Sequence, residues 1–193
     1  LYIINSTFRY NRAGVVPNAG SYELCYPGRR NTIVGNTVYD NNNNDAPAID
    51  VALLAQGNGI LVAGSVDNIV ERNLVFKHDR TGIAAVPFPE EDANDRAPDK
   101  SEWDTPCDET RDQEIPAEDA DPGLVLWHPY DNSFLGNVVS GSGVADLASA
   151  TLEGDGVTVE GLGNCFSDNT FTSSAPADIE ALSPCEGEGN GGD

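Results

Sequence analysis

Apolar and polar positions in this chain follow a spaced pattern: Asn, any residue, an apolar residue, two residues, Asn, any residue, an apolar residue. It runs through Asn31, Ile33, Asn36 and Val38; Asn68, Val70, Asn73 and Val75; Asn132, Phe134, Asn137 and Val139; and Asn164, Phe166, Asn169 and Phe171. A truncated copy opens the chain with Ile3, Ser6 and Phe8. The leading Asn residues lie 37, 64 and 32 residues apart, so one repeat carries an insertion of about one repeat length. Self-similarity at such a period is the mark of a solenoid.

Two further apolar patterns accompany it. Gly-led runs precede three of the leading Asn residues, at Gly59–Asn68, Gly123–Asn132 and Gly156–Asn164, and the first two align without a gap. Short apolar pieces lie between, at Gly14-Val15-Val16, Ile49-Asp50-Val51, Gly82-Ile83-Ala84, Gly143-Val144-Ala145 and Ile179-Glu180-Ala181. Alternation at period two predicts half-buried strands, three short ones per coil, and no stretch carries a sustained 3.6-residue period. The expected fold is all-β: a parallel β-helix of about five coils in which inward side chains stack into columns. Asn suits the bends because it tolerates left-handed backbone and bonds locally, and its recurrence at one place predicts an amide ladder up the stack. The preference of parallel crossovers for one hand makes the helix right-handed.

In these repeated Asn and apolar positions the chain resembles the right-handed parallel β-helix superfamily, the pectin-lyase-like and NosD-like repeat proteins. The resemblance covers about four-fifths of the chain, all but an acidic insertion and the tail. The repeat phase argues for one continuous solenoid, a single β-helix domain over residues 1–185, and the pectin-lyase-like resemblance implies polysaccharide lyase or epimerase activity as one function to weigh.

Composition sharpens the picture. The net charge is −22 over 193 residues, which disfavours nucleic acid as a partner. Half of that charge falls in residues 90–121, where 14 acidic residues face Arg96, Lys100 and Arg111. Rich in Pro, Asp and Glu and without apolar period, this insertion is expected to be a long loop lacking regular structure. Residues 186–193 form a flexible acidic tail by the same reasoning. Of the three ways to pair Cys25, Cys107, Cys165 and Cys185, Cys25 with Cys107 and Cys165 with Cys185 is preferred, because the second pair brackets the last coil and Cys107 sits in the insertion; four free buried thiols are the alternative. Neither a signal peptide nor a membrane-length apolar run is present. The chain opens inside a strand, so a polysaccharide or another extracellular chain is expected to cover the amino-terminal edge. The expected location is secreted, extracellular or at the cell surface.

Candidate chemistry gathers at the bends. Arg12 and the run Lys77, His78, Asp79 and Arg80 occupy equivalent bends and are expected on one face. As base and cations they suit β-elimination or epimerisation of a uronic acid polymer; a charged turn is the competing reading. Asp40, Asn42, Asn44 and Asp45 offer hard oxygen ligands for calcium, the one candidate cofactor, though without EF-hand spacing. Trp127, His128 and Tyr130 suit sugar stacking, or packing beneath the acidic insertion. The pair Arg29-Arg30 is a turn or a ligand-contacting basic edge, and Asn5-Ser6-Thr7 matches a glycosylation sequon. Two functions follow as expectations: a structural or carbohydrate-binding role, with or without calcium, and as the alternative a polysaccharide lyase or uronate epimerase.

Overall fold

Strands of three residues cannot hold themselves together, so each repeat must pair with the next. In the computed structural model, which describes residues 1–48, 52–111 and 123–185, they do so in parallel register. In chain order the strands are β1 (Tyr2–Ile4), β2 (Thr7–Arg9), β3 (Thr32–Val34), β4 (Thr37–Tyr39), β5 (Ile60–Ala63), β6 (Ile69–Glu71), β7 (Leu74–Phe76), β8 (Thr81–Val86), β9 (Phe88–Ala93), β10 (Gly123–Trp127), β11 (Ser133–Leu135), β12 (Val138–Ser140), β13 (Ala145–Ser149), β14 (Cys165–Ser167) and β15 (Ser174–Ala175). Three parallel sheets result: β1-β3-β6-β11-β14, β2-β4-β7-β12 and β5-β8-β13-β15. The chain thus visits the same three sheets again and again, an all-β stacking compatible with a β-helix.

Register turns the sequence pattern into columns. Ile3, Ile33, Val70, Phe134 and Phe166 pair one above another in the first sheet, and Phe8, Val38, Val75 and Val139 in the second. Ile33, Val70 and Phe134 have no exposed surface, and the rings of Phe134 and Phe166 stack at 4.6 Å. Each repeat alone would leave its apolar face wet; stacking dries all but the end members.

At the bends, three rows of buried polar residues run parallel to the columns. Asn31, Asn68, Asn132 and Asn164 form the first, in which Asn31, Asn68 and Asn132 each donate the backbone N–H and Nδ2 to the Oδ1 of the next at 2.6–3.0 Å. The second runs from the Ser6 N–H through Asn36, Asn73, Asn137 and Asn169, and ends on Glu180 Oε1. In the third, Asn11 donates to Asn41, whose Nδ2 lies 3.3 Å from His78 Nε2. The residue before each ladder member takes left-handed backbone: Arg30, Asp67, Asp131 and Gly163; Asn5, Gly35, Arg72, Gly136 and Asp168; Tyr10, Asp40 and Lys77.

Several expected strands are placed differently. The Gly59 run and Gly82-Ile83-Ala84 belong to one sheet, since Ile60 pairs with Ile83 and Leu61 with Ala84. The Gly123 run, although it matches the Gly59 run residue for residue in spacing, pairs antiparallel with β9 instead. By that point the repeat has already made its third-sheet strand as β8, and the returning chain covers that sheet's outer face. Leu61, Ala63, Ala84 and Ala148 are buried there against Phe88, Val125 and Trp127, which explains why every residue of β5 is buried. Among residues 156–164 left-handed Gly156 and Gly163 flank a 3₁₀ turn at Glu160–Leu162, not a strand. Ile179–Leu182 is a short helix whose Ile179 plugs the column at its carboxy-terminal end. Val144 is exposed and β13 begins after it. Ile49-Asp50-Val51 lies outside the described residues.

The acidic stretch is only partly a loop. It starts inside β9, makes a 3₁₀ turn at Lys100–Glu102 and a helix at Cys107–Arg111, while residues 112–122 and the tail at 186–193 lie outside the described residues. The cysteines pair as preferred, Cys25 with Cys107 and Cys165 with Cys185. Among the described residues no helix is long and apolar enough to cross a membrane.

Candidate functional site

Left-handed corners aim their side chains away from the core, so each of the three rows is a line of solvent-facing groups on a fixed frame. The row ahead of the first sheet is the one that is covered. Residues 94–107 lie over Arg30, Asp67, Asp131 and Gly163, held by the disulfide to Cys25 and by a set of polar contacts. Tyr26 donates its hydroxyl to Asp95, Arg29 donates to the Thr105 carbonyl at 3.2 Å, and Arg30 pairs with Asp104. Below them Glu90, 7% exposed, accepts from the Ser21 N–H, the Ser21 hydroxyl and Trp127 Nε1, each at 2.8 Å. Three donors on one carboxylate hold it in a fixed position. Burial, and then the Glu90 charge, push the nearby Glu23 carboxyl up to about 7.

Between this segment and the corner row is a pocket of about 330 Å³, lined by Arg30, Asp67, Lys100, Trp103, Asp104, Asp131, Ser133 and Gly163. Its cations are engaged: Arg30 Nε lies 3.0 Å from Asp67, Arg30 also reaches Asp104, and Lys100 pairs with Asp131. The Asp104 carboxyl is held below its usual range by the Arg30 hydrogen bond. Trp103, 7% exposed, forms an apolar wall with the Lys100 ammonium 5.7 Å from its ring. On its other side a smaller cavity of about 180 Å³ contacts Trp127, His128 and Tyr130.

The residues expected to carry chemistry are distributed as follows. His78 is 2% exposed and is the third member of its row; burial pushes its imidazole down to about 4, against the pull of Asp40 and Asp79. It is a neutral ring receiving the Asn41 amide, with its Nδ1 buried and unpartnered. Arg12 donates to the Ala46 and Asn44 carbonyls and to Gln56, while Arg80 donates to the Leu54 carbonyl at 3.0 Å. The two arginines share an edge, linked through Gly57, which donates to the Arg12 carbonyl and accepts from the Arg80 N–H. Lys77 is exposed on its left-handed corner. His78 is thus buried, and Arg12 and Arg80, on a shared edge, donate to main-chain carbonyls.

In the calcium candidate, the Asn42 Oδ1 accepts from the Asp79 N–H at 2.8 Å and the Asn44 Oδ1 accepts from Gln56, while Asp40 and Asp45 stay at the surface. Among the described residues no group of three or more His, Cys, Asp or Glu stands in metal-binding proximity. Trp127 is 1% exposed, its indole spent on Glu90 and the Tyr26 edge, so no ring face remains for a sugar. His128 and Tyr130 pack 5.5 Å apart beside Trp103, with the His128 imidazole lowered by burial.

Asp67, Asp131, Ser133 and Lys100 escaped the sequence reading, while Trp103 stands out in it only as an anchor of the acidic insertion. A signal for the first two was present: each immediately precedes a ladder Asn, the position that must adopt left-handed backbone and point outward. Nothing local marks Lys100 or Trp103 as lining a site, and both arrive from the excursion. Neither a protein-family model, nor a curated protein, nor a solved structure matches this chain.

Proposed function

We propose that this chain is an extracellular right-handed parallel β-helix of about five coils, a single domain over residues 1–185, with a carbohydrate-associated binding and scaffolding role. The observation that carries the reading is the corner pocket: paired charges, a buried Ser133 and the Trp103 wall, pinned over a stiff stack by a disulfide. Concave sites with a few convergent polar groups and an aromatic wall are where small ligands bind. Two disulfides support an oxidising compartment. A polysaccharide is the partner such a site suits, and strands β1 and β2 at the end of their sheets offer an edge to a further chain.

Lyase or epimerase chemistry draws less support. His78 is a poor base when its pKa lies near 4 and its ring is buried, and Arg12 has its donors committed. The test is affinity electrophoresis and calorimetry against a panel of neutral and uronic polysaccharides, with and without chelator, together with ultraviolet detection of unsaturated uronates. Saturable binding without product is expected. Product formation overturns the non-enzymatic reading, and a complete lack of binding overturns the carbohydrate reading.

A further inference from the structure

The corner pocket allows its ligand to be named by class, an inference that rests on the carbohydrate reading above. We propose that it takes a neutral sugar unit, recognised through a pair of adjacent hydroxyls, and that it discriminates against uronates.

Charge comes first. Three carboxylates, Asp67, Asp104 and Asp131, face two cations, Arg30 and Lys100, and both cations are already paired to carboxylates. A uronate carboxylate entering here meets one surplus negative charge and, among the lining residues, no cation that is not already paired, a repulsion that solvent screens in part at the exposed Asp104. A hydroxyl group suffers neither penalty. It donates to a carboxylate and accepts from a cation at once, so it inserts beside an ion pair without stranding either member.

Spacing comes second. Asp67 and Asp131 occupy equivalent corners of neighbouring strands, since Asp67 N–H donates to the Tyr130 carbonyl and Ile69 pairs with Ser133. That places their backbones one strand spacing apart, about 4.8 Å, a fit to two adjacent hydroxyls each donating to one carboxylate.

An independent observation lies at the floor. Ser133 is 3% exposed, and among the described residues the hydrogen-bond contact of its Oγ is with Cys165 Sγ at 3.6 Å. Cys165 is oxidised to a disulfide with Cys185, so that sulfur has no proton to donate and is a weak acceptor. The Ser133 hydroxyl thus lines the pocket with its donor engaged only weakly, by the Cys165 sulfur, and its acceptor capacity open to a ligand. Gly163 continues the row without a side chain and keeps the end of the pocket open.

The experiment uses the disulfide-intact chain with neutral gluco-, manno- and xylo-oligosaccharides against oligogalacturonate and alginate oligomers, read by saturation-transfer NMR and calorimetry. A neutral oligosaccharide is expected to bind at least tenfold more tightly than any uronate. Ser133→Ala and Asp131→Asn are each expected to weaken it about tenfold, the scale of losing one hydrogen bond to a charged or buried group. Asn tolerates the left-handed corner, so Asp131→Asn keeps the backbone, and an unchanged urea midpoint verifies the fold of both variants. Lys77→Met, on a different row, is expected to leave affinity unchanged. Tighter binding of uronates overturns this inference and leaves the carbohydrate reading standing. Neutral-sugar binding indifferent to both variants moves the site elsewhere and overturns it too, whereas no binding of either class takes the carbohydrate reading down with it.

Discussion

The amide ladders have a direction, and direction makes a quantitative prediction. In the first row Asn31, Asn68 and Asn132 give their N–H and Nδ2 to the following Asn, and Asn68, Asn132 and Asn164 receive on Oδ1 from the preceding one. Asn132→Ala removes four side-chain hydrogen bonds: two received from Asn68, at 2.9 and 2.6 Å, and two given, to Asn164 and to the Ser65 carbonyl. Asn68 Nδ2 keeps the Ser65 hydroxyl, and Asn164 Oδ1 keeps the Asn132 N–H. The Asn68 N–H and the Ser65 carbonyl are left without these bonds in a region where both residues are at most 1% exposed. Two stranded buried groups at about 1–3 kcal/mol each give a loss of about 4 kcal/mol. Asn31→Ala, at the other end of the row, removes one donated bond from a half-buried side chain, and Asn68 Oδ1 keeps the Asn31 N–H. That loss is about 1 kcal/mol. Urea unfolding followed by circular dichroism, with the slope of the transition unchanged, measures both. If Asn31→Ala costs as much as Asn132→Ala, the ladder has no polarity of consequence and the reasoning fails.

Three further outcomes are expected. For His78, a folded pKa near 4 against 6.5 unfolded means that the unfolded chain takes up the proton first; its contribution is complete above about pH 6.5 and lost as pH falls through 4, about 3 kcal/mol in all. His78→Asn should remove this slope, so that the stability difference between parent and variant shifts by about 3 kcal/mol between pH 7 and pH 4, as urea midpoints at pH 4, 5, 6 and 7 will show. Glu23 has the opposite sign, because a folded pKa near 7 makes its contribution complete below about 4.5 and lost as pH rises through 7. Glu23→Gln should therefore stabilise above pH 7, by about 1 kcal/mol after discounting for solvent screening of a half-exposed group, and do nothing at pH 4. Finally, Cys107 is exposed whereas Cys165 is buried, so a mild dithiol should reduce Cys25–Cys107 first, and mass spectrometry of alkylated peptides will identify the pair; reduction of Cys165–Cys185 first refutes it.

The columns were legible because they obey one short rule. A residue two places after an Asn of the first row points inward in every repeat, and Ile33, Val70, Phe134 and Phe166 obey it irrespective of size. What misled was similarity without context. Gly123–Trp127 carries the same Gly-led apolar run as Gly59–Ala63, yet one crosses the outside of the stack and the other lies within it. Local pattern reports that a segment is extended and half-buried; it does not report which neighbour satisfies the backbone, and that is decided by where the preceding strand ended. Ile179 is the same lesson in reverse, an apolar residue that fills the column from a helix.

The site was less legible for a physical reason that also explains its position. A column position must be apolar and a ladder position must hold an amide, so both leave a mark that repeats. The left-handed corner between them demands only a tolerable backbone, and this chain uses Arg, Asp, Asn, Lys, Tyr and Gly there. Freedom from packing is what lets these residues differ from one repeat to the next, and that same freedom hides them from any search for periodicity. The corner row that matters is distinguished by what is laid across it: the disulfide-pinned segment supplies Lys100, Trp103 and Asp104, some 70 residues away from Arg30. A periodic frame with one aperiodic strap thus divides the labour, the repeats setting where groups point and the excursion choosing which of them become a pocket.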